Sequence, residues 1–126
     1  MTTKPKNLGD EIADRISQYN DEVEEEIQEE IRDTAKKTRN EIRENAPERT
    51  GEYKQGWSFR KTGRGANYKY TVYNREHWQL THLLEYGHAA RDGSRVPAYP
   101  HVEPAVKQYV EPITERIEQI LKRAGD

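Results

Sequence analysis

The chain has 126 residues, 35 % of them charged and 32 % hydrophobic, with a formal net charge of −2. That length suits one ordinary domain over 1–126, and so small a net charge singles out neither nucleic acid nor an acidic surface as partner. The lack of cysteine excludes disulfides, thiolate chemistry and Cys-based zinc sites.

The charge is unevenly placed. Residues 1–50 balance at −5 and residues 51–126 at +3, and seven of the eleven residues in 20–30, NDEVEEEIQEE, are acidic with none basic. Eight Tyr, two Trp and one Phe enlarge an otherwise thin core. The composition predicts a folded chain that needs neighbours to cover its apolar faces. The first residues, MTTKPKNLGDEI, hold no apolar run of the signal-peptide kind, and 1–7 are expected to be flexible. No apolar stretch approaches the ~20 residues that span a bilayer. The expectation is a soluble product made in a cytoplasm, with no membrane partner.

In chain order, residues 8–46 predict one long helix. Apolar or small residues recur at Leu8, Ile12, Ile16, Tyr19, Val23, Ile27, Ile31, Ala35, Thr38, Ile42 and Ala46, every step a three or a four. Pro47 stops it, because the residue before proline is pushed out of the α region. Such a helix is roughly 55–60 Å long at ~1.5 Å per residue, whereas a compact domain of this size has a radius of gyration of only ~14 Å. It should project beyond its own domain. Most steps are fours, so the stripe drifts around the helix, one end facing its own domain and the other a different chain.

Residues 47–56 form a turn-rich crossing. Residues 57–60 and 68–74 alternate as strands, giving an antiparallel hairpin over 57–74 with an open tip in KTGRGAN. Trp57 and Phe59 share one face of the first strand, and Tyr68, Tyr70 and Val72 share one of the second. Residues 77–86 read as a short helix capped by a left-handed Gly87. A loop spans 88–101, and the last helix runs over 103–124 with Pro104 in its first turn and a kink or split at Pro112. The expected fold is α+β: a long N-terminal helix and a C-terminal helix packed on a small antiparallel sheet, with a short helix and a long loop between.

Four groups of residues carry candidate chemistry. His77, His82, His88 and His101 lie near Glu76 and Glu85, but His77 and His82 are five apart and do not share a helix face. His82 and Glu85 do, yet two ligands do not make a catalytic zinc site, so no metal or cofactor is expected and the histidines read as surface or interface groups. Ser58 and Ser94 lack a nucleophile-elbow setting. The stretch 54–75 interleaves Lys54, Arg60, Lys61, Arg64, Lys69 and Arg75 with Trp57, Phe59, Tyr68, Tyr70 and Tyr73, as single-strand binders do. A nucleic-acid-binding module built on 54–75 is therefore the alternative function. An amphipathic hairpin needs the same alternation with no ligand at all. The acidic helix face, Glu22, Glu25, Glu26 and Glu29, reads as a solvated surface, or as a channel lining that lets DNA slide past or a docking patch for a basic partner.

The order and spacing of the motifs resemble a phage family. Pro47, Thr50 and Gly51 lead into the hairpin, Ser58 follows Gly56 by two, Leu84-Glu85-Tyr86-Gly87-His88 makes a corner, and Pro97-Ala98-Tyr99-Pro100-His101-Val102-Glu103-Pro104-Ala105 opens the last helix. This pattern is similar to the tail-component family typified by the gene-ten product of a lambdoid phage, over roughly 8–122. The chain departs from it at Tyr53, where the family has an aliphatic residue, at His88, where it has threonine or serine, and in the longer link from Pro97 to Pro104.

The resemblance implies a virion structural protein of the neck or upper tail of a long-tailed phage. It would join head to tail or complete the tail as a ring of six or twelve copies, with other neck and tail proteins as partners, double-stranded DNA passing without sequence readout, and no enzymatic activity. Within that frame Glu85 holds the loop by accepting donors. Tyr99, with Pro97, Pro100, Arg91, Arg95 and His88, offers an interface, Tyr99 as its anchor. Pro47, Thr50, Gly51 and Gly87 set the turns.

Overall fold

The computed structural model describes residues 8–47, 51–65 and 67–125. Residues 1–7 and Thr50 lie outside that set, as do the side chains of Leu8, Ile16 and Tyr19. The fold is mixed α and β. Helix α1 (Leu8–Asn45) is followed by one turn, α2 (Glu52–Gln55), and a hairpin of β1 (Trp57–Arg64) and β2 (Asn67–Asn74). Then come α3 (Trp78–Tyr86), a minimal hairpin of β3 (His88–Ala89) and β4 (Arg95–Val96), α4 (Glu103–Ala105), a π turn (Val106–Val110) and α5 (Ile113–Gly125).

Nothing in α1 after Gly9 breaks a helix, Asp10 and Glu11 suit its first turn, and Arg43 suits its last. The drifting stripe is buried only at its C-terminal end. Ala35, Thr38, Ile42 and Ala46 are buried, Val23, Ile27 and Ile31 are partly covered, and Ile12 is 49 % exposed. Two threonines sit in the buried part. Each returns its hydroxyl to the helix, Thr34 Oγ1 donating to the Glu30 carbonyl at 2.8 Å and Thr38 Oγ1 to the Thr34 carbonyl at 2.7 Å, so neither leaves a polar atom stranded.

The hairpin lies along this end of α1. Arg43 Nη2 donates to the Trp57 carbonyl at 2.6 Å, and one helical turn earlier the Arg39 guanidinium stands 5.1 Å over the Phe59 ring, so β1 runs antiparallel to α1. Pairing extends further than the sequence predicts, from Trp57↔Asn74 to Arg64↔Asn67, and the expected open tip shrinks to two residues. Ring contacts carry it outward: across the strands Lys61 caps the Tyr68 ring at 5.5 Å, and within β2 Tyr68 packs edge-on against Tyr70.

The expected helix over 103–124 is broken into α4, the π turn and α5. Pro112 has no N–H to give the carbonyl four residues back, and its ring would strike that carbonyl. The preceding turn widens instead, with the Glu111 N–H bonding to Val106 O at 3.0 Å, five residues back, and α5 restarts beyond it. Arg116 Nε pairs with Glu30 at 2.6 Å, its Nη2 reaches Thr34 Oγ1 at 3.0 Å, and Arg123 pairs with Glu26. These contacts make α5 antiparallel to α1.

The core is Ile42, Ala46, Tyr53, Trp57 and Ala105, with Val72, Leu84 and Val102 packed against it. It sits where α1, α2, the hairpin and α4 converge, directly beneath the 84–105 corner.

Candidate functional site

The corner is built around one carboxylate. Glu85, near the end of α3, is 6 % exposed, and its Oε1 accepts the N–H groups of His101 (2.9 Å) and Val102 (3.0 Å). Its Oε2 accepts that of Glu103 at 2.8 Å. These are the donors that the start of α4 leaves without helical partners, so Glu85 stands in for an N-cap from another element. Burial alone would push the Glu85 carboxyl up. The three N–H groups and the neighbouring His101 outweigh it and hold the carboxyl below its ordinary 4.5.

His101 is 1 % exposed, a core residue where a surface or interface histidine was expected. Its Nδ1 is 2.8 Å from the Tyr99 carbonyl and 3.2 Å from Glu85 Oε1. A carbonyl can only accept, so in the neutral ring Nδ1 carries the proton and Nε2 accepts from the Tyr53 hydroxyl at 2.6 Å. The Tyr53 and Thr81 hydroxyls pair at 3.2 Å. Burial raises the Tyr53 hydroxyl above its ordinary 10. Asn74 completes the cluster, donating to the Tyr53 carbonyl at 2.6 Å and accepting the His77 N–H at 3.0 Å.

Glu, His and Tyr thus meet as they would in a proton relay. Both Glu85 oxygens, however, are occupied by backbone, and Tyr53 and His101 are enclosed, so no reactive atom faces a substrate. The arrangement pins α2, α3 and α4 together. The other histidines are scattered: His77 lies 3.3 Å from Glu52 Oε2, His82 packs on the Tyr86 ring, and His88 pairs with Val96 in β3. Among the described residues no group of three or more His, Asp or Glu could hold a metal, and no helix is long and apolar enough to cross a membrane.

Gly87 has φ 74° as expected of a glycine cap, but its ψ of 175° is extended, not left-handed helical. The chain leaves α3 straight into β3 in a conformation open essentially to glycine alone. A Cβ there would lie 2.6 Å from the Val96 carbonyl oxygen. Gly51, φ 82°, is the N-cap of α2, and Pro47 is partly buried.

The loop expected over 88–101 contains the minimal β3–β4 hairpin. Ala90 N–H bonds to Ser94 O at 2.7 Å, Asp92 Oδ1 accepts the Ser94 N–H at 3.0 Å, and β3 pairs with β4. Arg91 and Arg95 are exposed, Arg95 donating to the Tyr86 carbonyl at 3.2 Å. Tyr99 is anchored by its backbone to Leu84 O at 2.6 Å while its ring is 50 % exposed, between the exposed Pro97 and Pro100. Glu85 therefore acts inside the chain and His88 is partly buried, while Arg91, Arg95, Pro97, Tyr99 and Pro100 are exposed.

Further apolar surface is exposed at Trp78 (65 %), Leu80, Leu83 and Tyr86 on α3, and at Val110 and Leu121. The periodicity of 77–86 does not show which side lacks cover. On the basic hairpin, Arg60 stands over Tyr73 and Lys61 over Tyr68, so these rings are capped by the chain's own cations and are not open platforms for bases. Glu22, Glu25, Glu26 and Glu29 are all exposed on α1, Glu26 meeting Arg123.

A small core, a corner closed on itself and wide apolar surfaces suit a structural component, and the comparison with known families points the same way. A family model described as "Bacteriophage HK97-gp10, putative tail-component" matches residues 10–87, from α1 to the glycine that ends α3. The chain belongs to this family of phage tail components. The match stops short of Tyr99, His101 and α5. No curated protein and no solved structure matches the chain.

Proposed function

We propose that the chain is a ring-forming head–tail connector or tail-completion component of a long-tailed phage, joining head to tail without catalysing a reaction and supporting DNA passage. The observation that carries this reading is surface area. The chain exposes 9932 Å², whereas a compact monomer of 14.8 kDa exposes about 7,000 Å². The excess of about 3,000 Å² exceeds the ~1,600 Å² that one subunit contributes to two interfaces of ordinary size. Two unlike interfaces per subunit are what a closed ring requires.

In such a ring the exposed acidic face of α1 suits two roles, Glu29 as part of a wall past which DNA slides without sticking, and Glu22 and Glu25 as a docking patch for a basic surface. The Tyr99 surface, stiffened by Pro97 and Pro100, suits a neighbouring neck or tail protein.

Native mass spectrometry over a concentration series, with DNA affinity measured on the same sample, tests the reading. A closed ring with only weak DNA affinity is expected. A monomer that binds DNA with a steep salt dependence would replace this reading with the nucleic-acid module on 54–75.

A further inference from the structure

We infer that the N-terminal part of α1, about residues 8–25, docks in an apolar trough on a second copy of the chain, between β2 and the π turn. The inference rests on the ring reading and names the surfaces that would close the ring. The trough, about 440 Å³, has Ile42 of α1 as floor, Val72 and Tyr73 of β2 as one wall, Val106 and Val110 as the other, and Trp78 at its end. Trp78 and Val106 also line a second hollow of about 440 Å³ that continues towards Tyr86. β2 pairs with β1 alone, so among the described residues no third strand covers its outer edge.

The occupant follows from what α1 lacks. Arg123, two residues before the end of α5, already pairs with Glu26, so α1 runs on past α5's last ion pair. Its apolar spacing nevertheless continues through Val23, Tyr19, Ile16, Ile12 and Leu8, with Ile12 half exposed. The arm cannot fill its own trough. Ile12 and the trough's Thr38 stand on one continuous helix, about 39 Å apart at 1.5 Å per residue. Only another copy's arm can reach it, and that head-to-tail contact is the kind that generates rings.

Charge agrees. The arm's exposed Asp21, Glu22 and Glu25 would face a hairpin that holds no acid between Tyr53 and Arg75 and exposes Arg60, Lys61, Arg64, Lys69 and Arg75. The recognition is that of an amphipathic helix laid in a groove.

The chain has no cysteine, so single cysteines report contacts between copies. An Ile12→Cys protein is mixed in turn with Val110→Cys, Glu103→Cys and, as a control at the tip of the β3–β4 turn, Arg91→Cys. Each mixture is treated with a short bismaleimide, and native mass spectrometry follows assembly in the same samples. Ile12→Cys is expected to join Val110→Cys and Glu103→Cys and to give no product with Arg91→Cys. Oligomers in which Ile12→Cys joins only the control, or nothing, overturn the arm-in-trough contact and leave the ring reading standing. A monomer at every concentration, with no joined product, overturns both.

Discussion

Replacing Glu85 with glutamine keeps the side chain's shape and removes only its charge, so it isolates what the carboxylate does. The glutamine oxygen can face two of the three N–H groups, but its NH₂ then confronts the third, donor against donor. A buried N–H without an acceptor costs about 1–3 kcal/mol, and hydrogen bonds to a neutral acceptor are each weaker by about 1 kcal/mol than those to a charged one. The easier burial of a neutral amide offsets part of this, leaving a loss of about 3 kcal/mol. In urea that is a midpoint lower by about 2 M with m unchanged, or a Tm lower by roughly 10 °C, at fixed protein concentration because assembly adds apparent stability.

The pH dependence gives a second handle on the same residue. Glu85 is held below its ordinary 4.5 in the folded chain, so its contribution is fully present above about that pH and is lost as pH falls through the lower folded value. The gap between wild type and Glu85→Gln should therefore be widest near neutrality and close in acid. A variant within about 0.5 kcal/mol of wild type at pH 7, or a gap that stays constant into acid, would refute the claim that this carboxylate holds the corner.

Gly87→Ala should cost about 2–4 kcal/mol, from the positive φ and from a Cβ placed 2.6 Å from the Val96 carbonyl, read as a lower thermal midpoint. Tyr53→Phe leaves His101 Nε2 without its donor and should cost about 1–3 kcal/mol in urea titration; in the wild type, absorbance at alkaline pH should show Tyr53 and Tyr68 ionising above the ordinary tyrosine value. Tyr99→Ala should change the monomer's stability by no more than about 0.5 kcal/mol while impairing assembly into particles, and normal particle assembly would remove Tyr99 as an anchor.

The long helix was legible because its apolar spacing runs unbroken to Pro47, and the break at Pro112 because proline's lack of an N–H is a local fact. The strand tip was misjudged: Lys61 and Arg64 read as turn residues, and only their pairing with Tyr70 and Asn67 shows them as strand. His101 was the larger miss. A histidine between two prolines looks exposed, and its burial depends on Tyr53, 48 residues earlier. Arg116 carried a weak signal, a base inside the apolar stripe of Ile113, Ile117 and Ile120. Asn74 carried one too, as the last strand residue opposite Trp57.

His101, Arg116 and Asn74 share a physical cause. They are polar groups buried wholly or in part, and a binary pattern of apolar and polar residues cannot show where a polar side chain will find its partner. In this chain such groups fix geometry that the small core cannot. Glu85 locks α3, which carries the exposed Trp78, Leu80 and Leu83, to the start of α4. Arg116 locks α5 to α1 through Glu30 and Thr34. Each tie fixes the angle of an element that exposes apolar side chains, α3 in the first case and α5, with Leu121, in the second. A closed ring depends on that angle, because a heterologous contact that fails to close makes a filament instead. If the angle is what the polar network is for, Glu85→Gln should disturb the number and uniformity of assembled copies even below the temperature at which it unfolds. Native mass spectra of the variant that match the wild type's in both respects would reduce the network to a contribution to stability alone.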